Sequence, residues 1–210
     1  MFSNISILDT LLLIPPLLFA LSVHEMSHAW SAWKLGDPTA KDRGRLTLNP
    51  LAHLDVMGTL CILLTHFIGW AKPAPVDPRN FRDPIRGMAL VAAAGPFSNF
   101  VIAAASAGII RLVIVSGALE RVPEGIAMPL ATMLVISFSL NIGLGLFNLL
   151  PFPPLDGFRI VSVALPLKWV WFCERYSFLF FIALIILMWQ GIVTRPIGAA
   201  IQYLQRLVLT

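Results

Sequence analysis

Apolar residues dominate four long runs of the chain, and short polar stretches separate them. The pattern predicts a first helix at about Ile5–Trp33, a second at about Arg86–Gly117, a third at Met128–Leu150 and a fourth apolar segment at Phe178–Val193. Each of the first three exceeds the ~20 apolar residues that a membrane-spanning helix needs. We therefore predict an all-α polytopic membrane protein with about four to five transmembrane helices.

Prolines, glycines and polar residues predict where these helices are interrupted or connected. Pro15-Pro16 should kink or break the first helix, and Gly95-Pro96 should interrupt the second. Between these helices, Gly44–Leu48 could form a short strand. We interpret the apolar but His- and Asp-containing segment Leu51–Trp70 as re-entrant, because non-helical backbone is tolerated at membrane depth where it lines a cavity. Thr194–Thr210 is predicted to be an amphipathic tail at the membrane interface.

Composition agrees with a membrane protein, since 58% of the 210 residues are hydrophobic and 12% are charged. Soluble domains carry roughly twice that charged fraction. No long polar break divides the chain, so we expect one membrane-embedded domain over residues 1–210. Its core would cover about residues 5–160, and a C-terminal helix with the amphipathic tail would cover about residues 168–210. We expect no disulfide, because Cys61 and Cys173 both lie in or beside apolar segments.

The net charge of +4 comes from cations that cluster between the apolar runs. This placement indicates orientation in a lipid bilayer rather than nucleic-acid binding, because loop cations favour the cytoplasmic side. Four of them, Lys34, Lys41, Arg43 and Arg45, place the end of the first helix inside. The cations of Lys72–Arg86 belong on the same side. We expect a multi-pass protein of the cell (inner) membrane.

An ionisable motif lies inside the first apolar helix, where His24-Glu25-Met26-Ser27-His28 follows Leu11–Val23. Ionisable groups at membrane depth are costly and usually mark a functional site. Two histidines at i and i+4 share a helix face and can bind one zinc ion, and the glutamate between them is placed to act as a general base. The alternatives are a packed, hydrogen-bonded pair of histidines and an ion-paired structural Glu25.

A catalytic zinc site needs a third protein ligand and leaves one position for water. The layout with a glycine and a further histidine downstream fails, because Ser31 and Lys34 occupy those positions. A glutamate a few tens of residues downstream also fails, since none occurs between Glu25 and Glu120. The third ligand must therefore come from a more distant part of the chain.

Asp156 is the best candidate for that ligand, in the sequence Asn148-Leu-Leu-Pro-Phe-Pro-Pro-Leu-Asp-Gly157. Three prolines and a glycine force the chain out of helix there and re-aim the carboxylate. If the first helix runs inward, the second outward and the third inward, Asp156 returns to the cytoplasmic level of the two histidines. Its alternative role is the N-cap of the segment that begins at Phe158.

Together these segments resemble the site-2 protease family of intramembrane zinc metalloproteases: His24–His28, Ala94-Gly95-Pro96 with Asn99, and Asn148–Gly157. Gly44–Asp55 and Gly69–Pro73 resemble its compact bacterial branch without a PDZ domain. The resemblance covers about residues 5–160. It implies His24, His28 and Asp156 as ligands of one Zn²⁺ per chain, and Glu25 as the general base.

Other polar residues have weaker functional signals. Asn148 lies eight residues before Asp156 and near a helix end, where its amide could donate to the oxyanion of a substrate. Asn141 on the same helix face is more simply explained as a helix–helix hydrogen bond. Gly95-Pro96 and Asn99 favour close helix packing. For His53 and Asp55 a structural hydrogen bond is favoured over contact with a metal ligand or substrate.

The sequence thus predicts an intramembrane zinc endopeptidase that acts on transmembrane protein substrates, with its active site toward the cytoplasm. Two alternatives are a catalytically silent zinc-binding membrane adaptor and a membrane transporter. An intact Glu25 argues against the adaptor, because a structural zinc site has no use for a base and usually has four protein ligands. A transporter would show repeated halves with paired broken helices, and the sequence contains no such repeat.

Overall fold

A computed structural model describes residues 7–55, 57–58 and 71–209. Helices make up most of this part of the chain, in the order α1 (Ile7–Lys34), α2 (Thr39–Asp42), α3 (Pro50–His53), α4 (Pro84–Ser116), α5 (Glu124–Asn148), α6 (Asp156–Val161), α7 (Leu167–Arg175), α8 (Ser177–Trp189) and α9 (Thr194–Leu209). Short 3₁₀ turns lie at Pro78–Asn80, Ala118–Arg121 and Ser162–Ala164. Within the described ranges no strand forms, and an isolated antiparallel bridge pairs Leu54 with Ala71.

Helices α1, α4 and α5 are long and apolar enough to cross a membrane. At 1.5 Å per residue they measure roughly 42, 50 and 37 Å, against a hydrocarbon core of ~30 Å. Helices α7 and α8 form a pair bent by 72° that passes the same test only when taken together. The described residues therefore contain three candidate spans, or four with the bent pair, where the sequence predicted four to five.

Helix α4 packs against both α1 and α5, which also contact each other. Small buried residues line these contacts, among them Ala29 of α1 and Ala92 of α4. Such residues let helix backbones approach closely in a membrane, where packing and hydrogen bonds rather than water exclusion hold helices together. Farther along, an apolar cluster joins Ala103 and Ile110 of α4 to Phe138 of α5.

The C-terminal helix α9 is part of this bundle. Its residues Ile201, Leu204 and Val208 pack against the apolar cluster between α4 and α5. The Gln205 side chain donates a hydrogen bond from Nε2 to Ser139 Oγ at 2.7 Å. The apolar face of the tail, predicted to lie at the membrane interface, is therefore turned toward the protein.

The sequence predicted a kink or break at Pro15-Pro16 and an interruption at Gly95-Pro96, and neither helix is broken there. Helix α1 continues through Pro15 and Pro16, and α4 continues through Gly95 and Pro96. A proline removes one helical hydrogen bond, whereas an unravelled turn in an apolar environment would leave several backbone groups unpaired. The smaller loss favours a continuous helix.

The connection between α1 and α4 departs from the predicted strand. Residues 44–48 form turns and bends, with Gly44 at a left-handed φ of 68° and the Arg45 N–H bonded to Ala40 O. The N–H of Lys72 donates to His53 O at 2.8 Å, which ties the end of the connection to α3. Residues 56 and 59–70 lie outside the described part, so the re-entrant path of Leu51–Trp70 stays a prediction.

Candidate metal centre

Helix α1 places His24 and His28 one turn apart on the same face, and that face is covered by α4. The two side chains are nearly inaccessible, with 6% and 8% of each residue exposed. Their Nε2 atoms lie 3.0 Å apart, and the rings meet edge to face. The i, i+4 spacing of the motif therefore brings two ligand atoms to one point, as predicted from the sequence.

Asp156 completes a group of three ligand atoms. Its Oδ2 lies 3.2 Å from His24 Nε2 and 3.3 Å from His28 Nε2. Leu155, not Asp156, occupies the N-cap position of α6, so the alternative role of Asp156 as a helix cap does not apply. Gly157 lies so close to the Leu149 carbonyl that a Cβ there would collide with it, and this contact folds the chain back on the end of α5.

The three atoms form a group that could hold a metal ion. Bonds of ~2.0–2.1 Å at tetrahedral angles separate zinc ligands by ~3.3 Å, close to the three observed distances. The two histidines also point their Nδ1 atoms at oxygens that only accept hydrogen bonds, so in the neutral rings each Nε2 bears a lone pair. Two lone pairs and a carboxylate then face one another, and a cation between them relieves their repulsion. The residues fit zinc.

Helix α4 supplies the oxygens that hold the outer sides of both rings. His24 Nδ1 donates to Asn99 Oδ1 at 2.6 Å, and His28 Nδ1 donates to Val91 O at 2.7 Å. Hydrogen bonds of this kind orient metal-binding histidines and fix their tautomers. The sequence favoured a packing role for Asn99 and gave no role to Val91, because the register of α1 against α4 is not visible in a single sequence.

Gly95 of α4 lies directly against the two rings. A Cβ at this position would fall 2.5 Å from His28 Nε2 and 2.6 Å from His24 Cε1. Any other residue would have to push the imidazoles aside. The Gly95-Pro96 pair lies in a continuous helix, where the missing Cβ of Gly95 leaves room for the histidines, and this close contact agrees with the packing role predicted for the pair.

Glu25 is half-buried beside the histidines, and its Oε2 accepts a hydrogen bond from the Ala74 N–H at 2.8 Å. Ala74 lies between Pro73 and Pro75 in a segment outside regular secondary structure. We call residues 72–77 the Ala74 strap. One end is fixed by the bond from Lys72 to His53 O, and the other by the Asp77 N–H, which donates to Asp37 Oδ2 at 2.8 Å.

Asp37 anchors the far end of the strap in the loop after α1. It is fully buried and accepts hydrogen bonds from Thr39, the Asp77 N–H and the Asn80 amide. Burial alone would raise the pKa of Asp37, but these hydrogen bonds outweigh it and lower the pKa below its ordinary value. The ionised carboxylate therefore holds together the loops that flank the site.

Each of the remaining predicted polar residues has a hydrogen-bond partner within the protein. The Asn148 amide donates to Leu144 O of its own helix at 3.0 Å, so its predicted contact with an oxyanion stays a prediction. Asn141 is fully buried and accepts from Asn99, which makes it the predicted link between helices. The buried His53 bonds through Nε2 to Thr47 O at 2.8 Å. Asp55 Oδ1 accepts from the Gly58 N–H at 2.8 Å.

Two curated proteins are similar to the chain. The first is named "Putative zinc metalloprotease YwhC", from Bacillus subtilis (strain 168); it is 41% identical over 177 residues, which cover 83% of this chain and 80% of the relative. The second is named "Putative zinc metalloprotease Rip2", from Mycolicibacterium smegmatis (strain ATCC 700084 / mc(2)155), and is 33% identical over 152 residues. That alignment covers 70% of this chain but 55% of the relative. No protein-family model and no solved structure matches the chain.

Proposed function

Because the chain belongs to the site-2 protease-like family of zinc metalloproteases, we propose that it is an intramembrane zinc endopeptidase. Its substrates are membrane proteins, cut within or next to a transmembrane segment. The observation that carries the proposal is the cluster of His24, His28 and Asp156, buried between apolar helices with Glu25 beside it. Ionisable groups are costly inside an apolar bundle, and the packing of the helices does not require three converging acceptor atoms with a further carboxylate beside them.

His24, His28 and Asp156 would hold the zinc, which leaves room for one further ligand. When bound, zinc supplies a Lewis acid that makes water a nucleophile near neutral pH. A site with three protein ligands is typical of catalytic zinc, whereas structural zinc usually has four. This count supports an enzyme over the silent adaptor.

Glu25 acts as the general base. Its carboxylate accepts the proton that the attacking water loses, and it then delivers that proton to the amine that leaves. The bond from the Ala74 N–H occupies one lone pair of Oε2 and fixes the direction of the carboxylate. The other carboxylate oxygen is then directed for proton transfer.

Asn148 stabilises the oxyanion in this proposal. Its amide lies at the end of α5, eight residues before Asp156, and now donates to Leu144 O. Rotation of the side chain would exchange that local bond for one to the substrate carbonyl, as the negative charge on the carbonyl oxygen grows. The bond given up is an ordinary amide–carbonyl bond, so the exchange costs little.

The active site opens toward the cytoplasm. His28 and His24 lie six and ten residues before Lys34, the end of α1, which places them about 9–15 Å from that end. The Lys34 and Lys41 ammonium groups lie 4.7 and 4.6 Å from the Trp33 ring centre, an arrangement typical of a membrane interface. Lysine-rich loops favour the cytoplasmic side, so water reaches the site from there.

A substrate helix hides its carbonyls in its own hydrogen bonds, and it must unwind locally before hydrolysis. We therefore propose that single-span proteins with Gly, Pro or Asn near the cut are the preferred substrates. Equal cleavage of an idealised poly-Leu span and a Gly/Asn-containing span would contradict this preference.

The test is cleavage of a panel of tagged single-span proteins by the purified protein in detergent, with zinc content measured on the same samples. Wild type should release products, while Glu25→Gln should bind zinc but release none. Zinc without cleavage by wild type would favour the silent adaptor. A folded wild-type protein that binds no zinc would refute the metal site.

A further inference from the structure

We propose that Asn99 and Asn141 are positioning residues that fix the tautomer and ring orientation of His24 through a directional chain of hydrogen bonds. The inference rests on the proposed zinc site and adds to it a function for the contact between α4 and α5. We call the four groups His24, Asn99, Asn141 and the Ser137 carbonyl the amide chain. It joins all three long helices.

The direction of the amide chain is set at its far end. The Ser137 carbonyl can only accept a hydrogen bond, so Asn141 must present its NH₂ group there, at 2.8 Å. Asn141 then presents Oδ1 to Asn99, which donates from Nδ2 at 2.8 Å. Each amide is thereby fixed in one of its two possible orientations.

The same logic continues to the metal ligand. With its NH₂ group used toward Asn141, Asn99 presents Oδ1 to His24 Nδ1 at 2.6 Å. An amide oxygen only accepts, so the proton of the neutral imidazole must reside on Nδ1. The lone pair then lies on Nε2, which faces His28 and Asp156. A backbone carbonyl on α5 thus determines which nitrogen of His24 can bind a metal.

Because the amide chain is buried, it can hold His24 in one tautomer. Asn99 and Asn141 are 0% exposed and His24 is 6% exposed, so water does not offer the amides a competing partner. An inverted amide would place two donors or two acceptors face to face in an apolar interior, which is costly. His28 needs no such chain, since its Nδ1 contacts the Val91 carbonyl directly.

If Asn99 and Asn141 only held α4 and α5 together, they would not need to contact His24. A second hydrogen-bonded pair between the same two helices allows the two roles to be compared. Ser106 of α4 and Ser137 of α5 are joined by a hydrogen bond of 3.0 Å between their hydroxyls. This serine pair links the same two helices as Asn99 and Asn141 but does not contact His24. Ser106→Ala therefore removes helix attraction alone, which makes it the matched control.

The experiment compares zinc affinity of the purified, zinc-depleted full chain in detergent, by competition with a chromophoric chelator. The variants are Asn99→Leu, Asn99→Asp and Ser106→Ala. Asn99→Leu removes the acceptor for His24, and we expect ~10–100-fold weaker zinc binding. Asn99→Asp, as the neutral acid that burial favours, accepts from His24 with its carbonyl oxygen and donates its O–H to Asn141 Oδ1, so it should bind zinc within a few-fold of wild type. Ser106→Ala should bind like wild type.

Thermal unfolding of the zinc-free proteins separates packing from positioning. We expect Asn99→Leu and Ser106→Ala to lower the midpoint, but only Asn99→Leu to weaken zinc binding. Wild-type affinity in Asn99→Leu, or equal weakening in both, would overturn the proposal. If Asn99→Leu does not fold, Asn99→Asp decides: a tenfold loss of affinity would overturn the proposal. Wild type without zinc affinity would refute the proposed function itself.

Discussion

At the scale of single residues, Gly95 determines whether the two histidine rings fit between α1 and α4. Both imidazoles fill the space that a Cβ would need at this position. In contrast, a Cβ at Gly108, farther along the same helix, would have no neighbour within 4 Å. Both glycines lie inside α4, but of the two only Gly95 has neighbouring atoms where a Cβ would be.

We expect Gly95→Ala to weaken zinc binding, because the methyl group would displace the ligand rings. Overpacking of this size costs ~1–3 kcal/mol, which corresponds to ~5–150-fold in affinity. Gly108→Ala should leave zinc binding unchanged and stabilise α4 by up to ~1 kcal/mol. Zinc competition and thermal unfolding measure the two effects. Equal zinc affinity in both variants would show that the rings adapt to the extra methyl group.

The Ala74 strap allows the orientation of Glu25 to be tested through one backbone group. Ala74→Pro removes the N–H that donates to Glu25, while Pro73 and Pro75 already restrict the backbone at this point. A lost hydrogen bond to a charged group is worth ~1.5–3 kcal/mol, so we expect cleavage to slow at least tenfold. Zinc content should not change.

Ala74→Gly is the control, because it alters the side chain and keeps the N–H. Its cleavage rate, measured on the same tagged substrate, should stay within a few-fold of wild type. If both variants were equally slow, the strap would act by its shape and not by its hydrogen bond.

The positions of the site residues, though not their chemical roles, could be predicted from the sequence where local spacing determines geometry. His24, Glu25 and His28 follow from the helical repeat, and Asp156 follows from the prolines that end α5. The contact of Asn99 with His24 could not be predicted, because it depends on the rotation and height of one helix against another. Asn148 could not be settled either, since its amide finds a local carbonyl.

At the scale of helices, α9 shows how an amphipathic segment can pack on protein instead of lipid. Its apolar residues contact the cluster around Phe138, and Gln205 donates to Ser139 of α5. The sequence predicted the helix and its two faces but not the neighbour of the apolar face. Lipid and protein interiors are equally apolar, so hydrophobicity alone does not distinguish them.

Gln205→Ala should loosen α9, because the bond to Ser139 is lost in an apolar setting. Hydrogen bonds between membrane helices contribute ~0.6 kcal/mol on average and up to ~1.7 kcal/mol. Hydrogen exchange in α9 and thermal unfolding in detergent would measure the change. The exposed Gln202 of the same helix gives the control Gln202→Ala, which should have no effect. Equal exchange rates in the two variants would contradict a docked α9.

At the scale of the whole molecule, the loops that flank the site depend on one buried carboxylate. Asp37 has a folded-state pKa below its ordinary value, so its ionised form stabilises the folded protein. The stabilisation by ionised Asp37 is complete at pH values above ~3.9, the pKa of the group in the unfolded chain. It is lost as the pH falls through the lower pKa of the group in the folded protein.

We therefore expect the wild-type protein to be more stable than Asp37→Asn at pH 6, with a difference that is constant down to about pH 5. Below about pH 4 the difference in stability should shrink, because Asp37 becomes protonated and then, like asparagine, carries no charge. Thermal unfolding from pH 6 to about pH 2.5 would show this convergence. A difference that did not change with pH would assign the effect to shape rather than charge.

The overall architecture was predictable to the level of apolar runs. Helices α1, α4 and α5 match the predicted spans closely in length and order. The predicted fourth apolar segment, Phe178–Val193, corresponds to α8, which passes as a span only together with α7, and the two helices are bent by 72°. A run of apolar residues specifies that a segment avoids water and says nothing of where the segment bends. The re-entrant path predicted for Leu51–Trp70 falls largely on residues outside the described part of the chain and stays a prediction.

The separation of the ligands along the chain also has a consequence for biosynthesis. His24 and His28 leave the ribosome early, but Asp156 follows 128 residues later (from 28 to 156). At roughly 5–20 residues per second, the nascent chain waits about 6–25 s for its third ligand. Until α5 and the turn after it have folded, the chain has Glu25 and the two histidines but not the complete group of three candidate ligand atoms. The three ligand atoms can therefore meet only after residue 156 of the 210 has been synthesised.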